Sequence, residues 1–73
     1  MPLIQVKAIE GVFNKEQKKE VVKRLTDAMV AIEGEALRPY TVVIFEDTAS
    51  GGWGVGGKAL TTEDVKALAA TAK

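Results

Sequence analysis

Thr41-Val42-Val43-Ile44-Phe45 decides the fold of this chain. The run is β-branched and aromatic with no polar alternation, the mark of a strand covered on both faces. Upstream, Asn14 is followed three residues later by Gln17, an arrangement close to a capping box that starts a helix. Val21, Leu25, Ala28, Met29 and Ile32 then recur at helical steps, with Lys18, Lys19, Lys23, Arg24 and Asp27 mostly on the other side. The spacing predicts an amphipathic helix of about 28 Å. It ends near Glu33, where Gly34 can supply the left-handed residue of a helix end and Pro39 forbids continuation. Further upstream, Leu3 to Ile9 read as a strand with Ile4, Val6 and Ala8 on one face and Leu3, Gln5, Lys7 and Ile9 on the other. Strand, helix and buried strand make a βαβ unit with parallel strands and a right-handed crossover.

Downstream, five of the seven glycines fall between Gly51 and Gly57, around Trp53 and Val55, and read as a loop or short hairpin. Thr61 with Asp64 opens a second helix that carries Val65, Leu68, Ala69 and Ala72 on one side. With no repeat or linker, residues 1–73 are expected to form one α/β (α+β) domain.

The chain has ten Lys+Arg, ten Asp+Glu, no Cys and no His. Net charge 0 leaves no basic excess for nucleic acid or an acidic membrane surface. Without Cys or His there is no disulfide framework, thiolate zinc site, Ser-His-Asp triad or Cys-His dyad. No stretch has the length of a membrane span and the amino terminus does not read as a signal peptide, so a cytoplasmic protein is expected. A folded monomer of this mass has about 4,400 Å² of accessible surface, and only about 61% of the extended chain's surface is buried. Domains this small are commonly completed by disulfides, metals or oligomerisation, and oligomerisation is the expectation here. Nothing in the chain is large enough to cover the second face of the sheet.

Two motifs fail on context. Gly52-Trp53-Gly54-Val55-Gly56-Gly57 has the spacing of a dinucleotide fingerprint, but it follows the βαβ unit and only 16 residues remain after Gly57. Gly52 to Lys58 resembles the first part of a phosphate-binding P-loop, yet Ala59 stands where a Ser or Thr is required. Pro2 is a stronger candidate. Met1-Pro2 is a substrate for methionine removal, which leaves a secondary amine at the start of a strand. An α-amino group ordinarily titrates at about 7.7–8.0, and apolar surroundings lower that value. An amine without its proton near neutral pH is a competent general base.

Met1-Pro2-Leu3-Ile4-Gln5-Val6, Ile9-Glu10-Gly11, Glu16-Gln17-Lys18 and Gly51-Gly52-Trp53-Gly54-Val55-Gly56-Gly57-Lys58 together resemble the short-chain branch of the 4-oxalocrotonate tautomerase family. The match runs in register from Pro2 to about Leu60. The resemblance implies a βαβ subunit assembled as a hexamer with an amino-terminal proline at each active site. It further implies cofactor-independent proton transfer on a small 2-oxo or enol acid, with Pro2 as base and acid. Trp53 matches the aromatic position that closes the site in the family.

Members that process dicarboxylates carry an arginine just after the Glu-Gly pair and another early in the second strand; Val12 and Val42 stand there in this chain. Poor use of 4-oxalocrotonate is therefore expected, because a carboxylate loses its bidentate partner. Arg38, before the second strand, is the first candidate to replace that anion site, with Lys7 as a weaker one. Tyr40 could donate a hydrogen bond to an enolate oxygen. The resemblance leaves two alternatives: hydration or dehalogenation of an unsaturated acid that uses Pro2 as an ammonium, and a non-catalytic subunit of a mixed oligomer.

Overall fold

The computed structural model describes residues 1–71. The order is β1 (Leu3–Ile9), α1 (Lys15–Glu33), a 3-10 helix (Glu35–Tyr40), β2 (Val42–Thr48), β3 (Trp53–Val55), β4 (Lys58–Leu60) and α2 (Thr62–Thr71). β1 and β2 pair as parallel neighbours through α1, the expected βαβ arrangement. The chain divides into two compact units, each fed by both long strands. One comprises Met1–Val6 and Asn14–Glu46; the other comprises Lys7–Phe13 and the chain from Asp47 onward.

In the first unit the Val42 N–H donates to the Pro2 carbonyl at 3.1 Å and fixes the beginning of both strands. α1 starts on a complete capping box: Asn14 Oδ1 accepts from the Gln17 N–H at 2.8 Å, and Gln17 Oε1 accepts from the Asn14 N–H at 2.9 Å. Two orphan donors of the first turn are thereby satisfied. At the other end the Gly34 N–H donates to the Val30 carbonyl at 2.8 Å. Gly34 has φ +105° and ψ 151°, so it takes an extended conformation reserved for glycine instead of the expected left-handed helical one. The chain then enters the 3-10 helix, which holds Pro39 inside it. Tighter turns accommodate a residue without an N–H where a continued α-helix would not.

The covered side of α1 keeps Val21, Leu25 and Met29 of the expected stripe, all half-buried, and departs from it at two positions. Val30 is buried and Val22, Thr26 and Met29 are half-buried, whereas Ala28 is exposed and Ile32 is 86% exposed. A sheet of two strands is narrower than the apolar face laid over it, so one edge of that face stays in solvent. β2 likewise alternates: Val43 and Phe45 are half-buried, while Val42 and Ile44 remain exposed. Its uniform apolar sequence predicts cover on both faces; the single chain covers one.

In the second unit β3 and β4 form an antiparallel hairpin that pairs Trp53 with Leu60 and Val55 with Lys58. Gly56 and Gly57 make the turn with φ +60° and +84°, the positive values that a two-residue hairpin requires at both positions. Thr61 caps α2 as expected: its hydroxyl accepts from the Asp64 N–H at 3.1 Å, and Asp64 Oδ2 accepts from the Thr61 N–H at 3.0 Å. Along α2, Val65 is half-buried, but Leu68 and Ala69 are exposed; Ala72 lies outside the described residues. No helix among the described residues is long and apolar enough to cross a membrane.

Candidate functional site

The second unit contains a cavity of about 280 Å³. Four separate segments wall it. The end of β1 contributes Lys7, Ala8 and Ile9, and the turn that follows contributes Val12 and Phe13. Trp53 of β3 and Val65 of α2 complete it. Ile9 is only 3% exposed and is the most deeply buried of the lining residues. Lys7 is the one charged residue of the lining; its side chain is exposed and makes no ion pair or hydrogen bond with any described residue. The volume suits a small organic molecule, and the lining is apolar apart from that single cation.

A polar network ties the elements of this unit together. Glu10 Oε1 accepts from the Ser50 N–H at 3.1 Å, and the Ser50 hydroxyl accepts from the Thr62 N–H at 2.9 Å. The Thr62 hydroxyl returns to the Glu10 carbonyl at 2.7 Å. Gly11 adopts φ +81°, and a Cβ placed there would lie 2.9 Å from Thr62 Cγ2. The Glu10-Gly11 pair thus joins the end of β1 to the start of α2, which positions Val12, Phe13 and Val65.

The first unit holds the other sequence-designated residues. Pro2 is half-buried at the start of β1, its carbonyl held by the Val42 N–H. Arg38 is committed to carboxylates: Nε donates to Glu35 Oε1 at 2.6 Å and Nη1 to Asp27 Oδ1 at 2.8 Å. These hydrogen bonds, first with Glu35 and then with Asp27, raise the pKa of the guanidinium. Asp27 in turn is held below its ordinary value of 3.8, first by its hydrogen bond from Lys23 and then by that from Arg38. Tyr40 ends the 3-10 helix and is 52% exposed. Neither Arg38 nor Tyr40 lines the cavity, whereas Lys7 and Trp53 both do. Phe13 was not legible as a wall residue; its only local signal is an apolar side chain immediately before the helix cap.

No curated protein sequence matches the chain. The crystal structure of DmpI from Helicobacter pylori is similar in fold, with a TM-score of 0.59 and 21% identity over 90% of this chain and 94% of that one. A family model described as tautomerase enzyme matches residues 2–63, from Pro2 through β1, α1, β2 and the glycine hairpin into α2. The chain therefore belongs to the tautomerase family, as its amino-terminal and glycine-rich motifs imply.

Proposed function

We propose that the protein is a cofactor-independent tautomerase in which Pro2, freed by removal of Met1, transfers a proton between the oxygen and a carbon of a small 2-oxo or enol acid. The observation that carries this reading is the family match that begins at Pro2, the residue whose place the Val42 N–H fixes at the edge of β1. The neutral amine takes the enol O–H proton, the carbonyl forms as the double bond moves, and the resulting ammonium returns a proton to the neighbouring carbon. The amine is restored and the substrate is isomerised without a net gain or loss of atoms.

Oligomerisation belongs to the same reading. The single chain exposes 5321 Å², against about 4,400 Å² expected for a monomer of this mass. Leu3, Val42, Ile44 and Ile32 are among its exposed large apolar residues. A homo-oligomer, the hexamer implied by the resemblance, supports this reading because it supplies the cover that the sheet lacks. Light scattering on the purified protein tests it, and a monomer at micromolar concentration would count against it.

The activity is tested by the ketonisation of phenylenolpyruvate, with the mature protein beside its Pro2→Ala variant. The wild-type rate is expected to exceed the buffer rate, with a loss of about 10²- to 10⁴-fold in the variant, the usual worth of a positioned base. Equal rates would overturn the reading. The rate should fall as pH drops through the pKa of the amine, because the base must be unprotonated; hydration through an ammonium would show the opposite limb. Val12 in the cavity wall, where dicarboxylate enzymes of the family carry arginine, favours one second reading: a non-catalytic subunit of a mixed oligomer. Co-purification of a second small chain in stoichiometric amount would support that alternative.

A further inference from the structure

We propose that the cavity lined by Lys7 and Trp53 selects a monocarboxylate with an apolar or aromatic body, and that Lys7 is the single anchor of its carboxylate. Pro2 is not among the lining residues, so the assignment stands on the cavity's own walls and is independent of the proton-transfer reading above. One cation lines the cavity and no described carboxylate pairs with it. The remaining wall is formed by aliphatic and aromatic side chains, with Phe13 and Trp53 as the rings and Val12 and Val65 as the aliphatic groups. Arg38, the other cation considered for an anion, is already held by Glu35 and Asp27.

Such a lining recognises one charge and no more. A carboxylate placed on the Lys7 ammonium gains a charge-assisted hydrogen bond, and the body of the acid displaces water from the apolar wall. A second carboxylate set against the apolar wall of Val12, Phe13 and Val65 would lose water and meet no second cation in the lining, which is unfavourable. Selection between mono- and dicarboxylates is thus built from a repulsive element as well as an attractive one. Lysine acts here as a point charge, so the carboxylate is oriented by the shape of the apolar wall more than by the cation.

Trp53 is the only tryptophan in the chain and lies in the cavity wall, so its fluorescence reports occupancy without any turnover. Three unreactive probes are titrated: 3-phenylpropanoate, its neutral amide and adipate. The carboxylate is expected to bind about 10- to 100-fold more tightly than the amide, the range for one hydrogen bond to a charged group. Adipate should bind more weakly than 3-phenylpropanoate. Lys7→Met should lower affinity for the carboxylate to that for the amide while leaving the amide unchanged, and Lys7→Arg should retain most of the preference. Equal carboxylate affinity in Lys7→Met and wild type, or tighter binding of adipate, overturns the proposal. Binding that follows this pattern in a protein that fails to ketonise phenylenolpyruvate leaves the proposal standing and overturns the proton-transfer reading instead.

Discussion

The two compact units are held by different kinds of contact. In the first, ion pairs along the chain are short in range: Lys23 with Asp27, Arg24 with Glu20 and Arg38 with Glu35 are three or four residues apart, and Arg38 reaches Asp27 across eleven, while Lys18 lies over the ring of Phe45. In the second, Glu10, Ser50 and Thr62 are joined across separations of 40, 12 and 52 residues, and the groups involved are mainly backbone and hydroxyl. Exposed local ion pairs are formed between flexible side chains in water and contribute little. Long-range hydrogen bonds to backbone instead define where distant segments meet, and the cavity is built where they do. The unit with more charge is therefore not the one whose polar contacts position the cavity.

The sharpest way to break that contrast is Gly11→Ala. The substitution forces an L side chain into φ +81° and brings its Cβ within 2.9 Å of Thr62 Cγ2. A loss of about 2 kcal/mol in urea unfolding is expected from the backbone conformation, with weakened ligand-induced Trp53 quenching as the walls shift. Unchanged stability and unchanged quenching would show that the Glu10-Gly11 junction does not position the cavity.

A smaller effect sharpens the same comparison. Thr62→Val removes the hydroxyl that donates to the Glu10 carbonyl but keeps the size of the side chain and the N–H that reaches Ser50. A loss of about 1 kcal/mol is expected by chemical denaturation. Faster amide hydrogen exchange should appear at the start of α2, with α1 unaffected.

Arg38→Gln should have the smallest effect, a shift in the unfolding midpoint that vanishes as salt is added. Acidification tests the charged links of both units together. Asp27 is held below its ordinary pKa of 3.8 by Lys23 and Arg38, and Asp64 by the backbone and then the hydroxyl of Thr61. A depressed carboxyl stabilises the folded state above its unfolded pKa, and that contribution disappears as pH falls through the folded value. Both contributions should thus be complete at neutral pH and lost below the ordinary carboxylate range. Arg38→Gln should reduce the loss at low pH because one of the two partners of Asp27 is absent; an identical acid limb would deny the pair any part in it.

The features legible in advance share one property, short range. The Asn14–Gln17 box, the Thr61–Asp64 box and the glycine turn each depend on residues within four positions of one another, so residue type and spacing suffice to read them. The βαβ order followed from periodicity in the same way. Gly34 ends the helix as its place after Glu33 predicts, but its ψ depends on how the next turn is used, and with the 3-10 helix following at once it is extended. Ile32 misled because helical spacing marks which residues are apolar and not how wide the opposing sheet is.

For the candidate site the division is the same. The sequence by itself determined that Pro2 follows Met1, that one tryptophan lies in a glycine-rich segment, and that Val12 and Val42 stand where the resemblance implies arginines in members that process dicarboxylates. These are statements of identity and local order, and no folding is needed to make them. Only the tertiary structure decided that Lys7, Val12, Phe13, Trp53 and Val65 share one cavity, and that Arg38 is engaged by Asp27 and Glu35. The physical reason is distance along the chain: the cavity joins positions 7 and 65, and a contact of that span is set by strand pairing, helix packing and the Glu10–Ser50–Thr62 network acting together.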